Sequence, residues 1–172
     1  VIAIFSFSAE IDTTFLSYAE KAADSISSYR NKVSILKLIA VEYAKAGQTQ
    51  QALLIFVDAL NVAGFIYDNY DKARALKDIA VELAKAGQTQ QALQIFNKAL
   101  NVAWFIFFDS DKAKALKDIA VELAKAGWFD DALNAAGSIY DNSDKAKALK
   151  DIAKELAKAG QTQKALLIFD KA

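Results

Sequence analysis

The chain has 172 residues, 54% hydrophobic and 24% charged, with 21 basic and 21 acidic side chains and a formal net charge of zero. That is enough apolar material for one continuous core, and the balanced charge offers no basic stripe of the kind nucleic-acid binding requires. There is no His, Cys, Met or Pro, which excludes Ser–His and Cys–His nucleophile pairs, His/Cys zinc sites and disulfides.

In chain order, the opening apolar run Val1–Phe5 is too short for a signal-peptide core and has no basic leader. The longest apolar run, residues 102–108, falls far short of the roughly 18 residues a membrane span needs. A soluble chain, cytoplasmic or recombinant, without membrane contact is therefore expected. Residues 1–8 read as an ordered remnant. Residues 10–29 read as a lone helix with Leu16, Ala19, Ala23 and Ile26 on its apolar stripe.

From there a repeat dominates. Ala-Leu-Lys-Asp-Ile-Ala-Val-Glu-Leu-Ala-Lys-Ala-Gly fills 75–87 and again 115–127, a close variant fills 148–160, and a looser copy fills 35–47. Each copy predicts a helix, since Leu76, Ile79, Ala80 and Leu83 recur at the spacing of one helical face. Asp71, Asp111 and Ser143/Asp144 are the expected N-caps of these first, or A, helices. Lys-Ala-Gly is the expected C-terminal stop, with Gly47, Gly87, Gly127 and Gly160 as the left-handed residues. A second, B, helix follows each glycine, with Thr49, Thr89 and Thr162 as expected caps. Its stripe in the second copy is Ala92, Phe96, Ala99 and Ala103, running on to Ile106 or Phe107.

The glycines are 40, 40 and 33 residues apart. Ala132–Asp141 aligns with Ala99–Phe108, which places the missing seven residues in helix B. Seven residues are close to two turns, roughly 10 Å, so the stripe stays in phase. The first two units should therefore have longer B helices than the third.

These positions resemble the tetratricopeptide repeat family. Relative to the turn glycine Gly87, Ala92, Phe96 and Ala99 match the family's small, aromatic and small positions of helix B. Leu76, Ile79, Ala80 and Leu83 match its helix A core. Gly47 leads likewise to Ala52, Phe56 and Ala59, and Gly160 to Ala165, Phe169 and Ala172. Leu in place of the usual Trp, Ala in place of the small Gly, and the lack of a closing Pro depart from the pattern. The resemblance covers about residues 32–172 and implies an all-α, right-handed solenoid of antiparallel hairpins in a single domain, residues 1–172. Its parts are an N-terminal B-type helix (10–31), repeats at 32–70, 71–110 and 111–143, and an incomplete one at 144–172. Near-identity of the copies is what an engineered or consensus-derived array shows, and recent duplication gives the same pattern.

The resemblance also implies that helix A lines a groove, placing Lys37, Lys77, Lys117 and Lys150, with Lys85 and Lys125, along a possible carboxylate ladder for a bound peptide. The ordinary alternative is a solvated face on which lysines neutralise Asp78 and Glu82. In the related pentatricopeptide family the base-reading position falls on Lys37, Lys77, Lys117 and Lys150, and identical lysines spell no code, so no nucleic-acid partner is expected. The second candidate is aromatic: Trp104, which stands where the other copies have Gly64 and Gly137, with Phe105, Phe107 and Phe108. Phe65, Tyr67 and Tyr70 stand at matching places in the first unit, and Trp128 replaces a Gln. These rings are either buried between long B helices or form an exposed patch for self-association or an apolar ligand. The acid pairs Asp78/Glu82, Asp118/Glu122 and Asp151/Glu155 recur beside lysines and read as surface pattern. No catalytic residue, metal or cofactor is expected. The partner is a protein or peptide, possibly a second copy of the chain.

Overall fold

A computed structural model describes residues 13–170. The expected remnant at 1–8 and the expected core residue Ala172 lie outside the described residues. Among those described, every regular element is an α-helix: α1 (Thr13–Asp24), α2 (Tyr29–Lys45), α3 (Thr49–Gly64), α4 (Asn69–Lys85), α5 (Thr89–Trp104), α6 (Asp109–Lys125), α7 (Phe129–Gly137), α8 (Asn142–Lys158) and α9 (Thr162–Phe169).

The helices pair as the repeat requires. α2 packs on α3, α4 on α5, α6 on α7 and α8 on α9, while α1 packs on α2. Between units the A helices also touch each other, α2 on α4, α4 on α6 and α6 on α8, and form one continuous row. One hairpin leaves an apolar face open, and stacking closes it. Leu76, Ile79, Ala80 and Leu83 are buried in α4, and Ala92, Phe96, Ala99 and Ala103 in α5. Phe56 and Phe96 are among the largest fully buried side chains, with alanines at 59, 63, 99 and 103 letting the backbones approach around them.

The glycine turns end the A helices as expected. Gly87 has φ +77°, its N–H donates to the Ala84 carbonyl at 3.0 Å, and the Gln88 N–H reaches back to Leu83 at 2.9 Å. This is a Schellman closure, in which only glycine adopts the left-handed conformation without strain. It recurs at Gly47, Gly127 and Gly160, whose φ values are also positive.

Helix starts differ from the sequence expectation. The A helices begin about three residues earlier, and their N-caps are Ser28, Asp68, Phe108 and Asp141. Asp71 and Asp144 lie inside the first turn, where their N–H groups donate to Asp68 Oδ1 at 2.9 Å and Asp141 Oδ1 at 2.8 Å. The buried Ile66, Ile106 and Ile139 pin the connecting loops and so decide which residue reaches the cap position, Asp68, Phe108 and Asp141. The B helices start from Gln48, Gln88 and Gln161, with no side-chain cap bond, so Thr49, Thr89 and Thr162 are first helical residues rather than caps.

Helix lengths follow the glycine spacing. α3 and α5 have 16 residues and α7 has 9, the expected difference of seven. Each long B helix stops at position 64 or 104, however, and residues 105–108 form a loop. Ile106 turns inward there and Phe107 outward, so Phe107 does not extend the stripe. The backbone becomes extended at Phe108 (ψ 125°), and neighbours along extended chain point to opposite sides.

Tyr43 in α2 stands where α4 and α6 have Leu83 and Leu123. It is buried, and burial, followed by the nearby Glu20 carboxylate, pushes its hydroxyl up to about 12. The folded value exceeds the unfolded one, so this contribution to stability is complete below about pH 10 and lost as pH rises toward 12. The denaturant midpoint of the native protein should fall between pH 10 and 12 by more than that of Tyr43→Phe. Equal losses would show that Tyr43 does not carry the effect.

Candidate functional site

The loops that join each B helix to the next A helix run along one edge of the stack, opposite the glycine turns. Contacts between successive loops establish the continuity. Tyr29, at the start of α2, stacks on Phe65 with ring centroids 5.5 Å apart. Asn69, at the start of α4, donates from Nδ2 to the Phe105 carbonyl at 2.9 Å. Within a single loop, Phe107 and Phe108 meet edge to face at 5.2 Å.

Six of the rings singled out in the sequence gather on this edge: Phe65, Tyr67, Trp104, Phe105, Phe107 and Phe108. They are exposed rather than buried between B helices, with Tyr67 fully accessible, Phe107 88%, Phe105 77% and Trp104 50%. The reason is local. Trp104 is the last residue of α5 and the other five follow the ends of α3 and α5, in loops where only the isoleucine, Ile66 or Ile106, is buried.

Two rings from the sequence reading lie elsewhere. Tyr70 is half-buried against α6, where the Lys114 ammonium sits 5.5 Å from its ring centroid. Trp128 is half-buried at the opposite, glycine-turn edge, packed edge-on to Phe96 at 5.7 Å. Two residues of the edge were missed. Tyr140, 95% exposed, occupies the loop position of Tyr67 and Phe107, a match visible in the repeat alignment. Tyr29 is placed by its stacking on Phe65, which no pattern within one unit reveals.

The short α7 shapes this edge further. Because it stops seven residues early, the first half of α6 lacks a full B helix beside it. A cleft of about 720 Å³ opens there, lined by Trp104, Tyr140, Ala113 and Leu116 and by polar groups that include Asp109, Lys112, Asp141 and Asp144.

Phe108 carries a further signal. At the same position Asp68 and Asp141 accept an N–H from the first turn of their helices, and Ser28 accepts from Asn31 at 3.4 Å. Phe108 makes no side-chain cap bond. An N-cap hydrogen bond contributes about 1 kcal/mol, so α6 forgoes that stabilisation while exposing a phenyl ring to solvent.

The A-helix row presents a different surface. Lys37 and Lys77 converge on Asp78 at 3.8 and 2.9 Å, Lys85 pairs with Glu82 at 2.8 Å, and Lys125 with Glu122 at 2.7 Å. The hydrogen bond to Glu122 holds the Lys125 ammonium above the usual lysine range. Lys117 is half-buried and Lys150 exposed. Among the acid pairs, Asp151 takes Lys154 at 2.8 Å and Glu155 takes Lys158 at 2.7 Å. Between α2 and α4 the row has a small hollow of about 130 Å³, bordered by Arg30, Lys37 and Arg74 but also by Asp71 and Asp78. Among the described residues no group of three or more potential metal ligands converges, and no helix is long and apolar enough to cross a membrane.

No family model matches the chain, and no curated protein is detectably similar to it. Among solved structures it is similar to Ton1535 from Thermococcus onnurineus NA1, at a TM-score of 0.64 and 26% sequence identity over 94% of this chain. The match covers 51% of Ton1535, so the chain spans about half the length of that protein.

Proposed function

We propose that this chain is a non-enzymatic protein-interaction module, a right-handed tetratricopeptide-like stack whose contact surface is the aromatic edge. The observation that carries this reading is Phe108, an exposed phenyl at a cap position where the sister units keep Asp or Ser. Stability alone favours a polar residue there, so a ring at that position is best explained by what it contacts. The groove reading has less support, because most of its lysines are held by neighbouring carboxylates, and exposed pairs of this kind contribute little. The near-identity of 75–87 and 115–127 supports a consensus-derived or recently duplicated origin.

The test is to select binding peptides from a random library against the intact chain. Their binding is then compared in two variants. One is Phe105→Ser/Phe107→Ser/Phe108→Ser, which copies the loop sequence of Ser25–Ser28, and the other is Lys77→Glu/Lys117→Glu. Selected peptides should lose roughly tenfold or more in affinity for the first variant and retain it for the second. The reverse pattern would move the contact surface to the groove, and a library yielding no binder would argue against the reading altogether.

A further inference from the structure

Resting on that reading of the edge, we infer that the occupant of the aromatic edge is a second copy of this chain, docked edge to edge about a twofold axis. The argument begins with area. Aromatic side chains carry about 150–250 Å² each. The edge rings are half to fully exposed, so together they present on the order of 1,000 Å². The largest apolar patch of an ordinary monomer is about 300–600 Å², whereas one side of a standard protein interface is about 800 Å². The edge therefore exceeds what a lone chain normally exposes and matches what a dimer needs.

Chemistry and shape select the partner. The surface joins aromatic rings to the exposed carboxylates Asp68, Asp109 and Asp141, and its rings already pair with one another within the chain, Tyr29 on Phe65 and Phe107 on Phe108. Offset and edge-to-face packing between rings is favourable beyond area burial, so an aromatic row is complementary to a second such row. The loops recur unit by unit along the edge, and a twofold axis through its middle superposes ring positions on ring positions, as an isologous interface requires. A chain with a formal net charge of zero meets no long-range repulsion from its own copy. The cleft of about 720 Å³ lies on the same edge, lined by Trp104, Tyr140 and Leu116 but mainly by polar residues, Asp109, Lys112 and Asp144 among them, so it suits the polar-tipped ring of a tyrosine from the facing copy.

The experiment is sedimentation velocity on the intact chain from low micromolar to near-millimolar concentration, with peptide binding measured in parallel. The mass should rise from 18.7 kDa toward twice that value. The triple-serine loop variant should stay folded, because the chain already builds this loop from Ser25–Ser28. It should weaken dimerisation by roughly a hundredfold or more. Lys98→Glu, on the outer face of α5, should leave dimerisation unchanged. A native protein that stays at the monomer mass throughout, or a loop variant that dimerises as tightly as the native chain, overturns the inference. If the native chain is monomeric but selected peptides still lose binding on the loop substitution, only self-pairing falls. If both the mass and the peptides are indifferent to the loop, the edge itself is wrong.

Discussion

Phe96→Ala should destabilise the fold by about 3–5 kcal/mol, the largest single-residue effect expected in the chain. Phe96 is fully buried in α5, and its ring meets Trp128 of the next unit edge to face. Truncation removes the buried ring and leaves a cavity between two units. The alanines around it, Ala92, Ala99 and Ala103, have no side-chain length with which to fill the space. A small domain has about 5–15 kcal/mol of stability in all, so the variant should be partly unfolded under mild denaturant. Because each unit contacts mainly its neighbours, hydrogen exchange should quicken most in α4 to α7 and least in α1. Phe96→Leu keeps most of the volume and should cost less than about 1.5 kcal/mol. A denaturation midpoint for Phe96→Ala close to that of the native chain would show that the core is not organised around this ring.

Phe108→Asp should have the opposite sign. It supplies the side-chain acceptor that α6 lacks, at the position where Asp68 and Asp141 already perform this role. A gain of about 0.5–2 kcal/mol is expected. For a domain of this size, 1 kcal/mol corresponds to a rise of roughly 2–4 °C in Tm. One opposing effect limits the gain. Asp109 and Asp111 already place negative charge in the first turn of α6, so a third carboxylate adds some repulsion. Phe108→Ser supplies the acceptor without the charge and should recover much of the gain. A stabilising substitution that also impairs contact with a partner would mark Phe108 as a residue kept for function at a cost in stability. No change in Tm for either variant would mean that the cap position contributes nothing in α6.

Much of the fold was legible because the relevant signals are local and repeated. The left-handed glycine after Lys-Ala has one physical reading, and it occurs four times with positive φ. The seven-residue difference between α5 and α7 was readable because removing nearly two whole turns keeps the apolar stripe in phase. The caps were misread because Asp68 and Asp71 both satisfy the local preference for a capping acid. The choice between them depends on the burial of Ile66, a tertiary fact.

The site was legible in composition but not in placement. Helical periodicity carried past Trp104 puts Phe105 and Phe108 on a helix face, whereas they lie in a loop. Their exposure follows from the helix ending, not from the face they were assigned to. Tyr70 and Trp128 look like the other rings within a single unit. Lys114 and Phe96, which hold them, belong to neighbouring units, so only packing between units separates them from the edge. Tyr140 is not marked out by differences between copies, because an aromatic at that loop position, Tyr67, Phe107 or Tyr140, is common to three of them.

The most direct test of the aromatic edge as the contact surface is a paired measurement on the triple-serine variant at residues 105, 107 and 108. Its Tm and its affinity for edge-selected peptides are measured side by side with the native chain. The account predicts an unchanged or higher Tm together with lost binding. An unchanged or higher Tm with binding intact would contradict it, since the three phenyl rings would then serve neither the fold nor a partner.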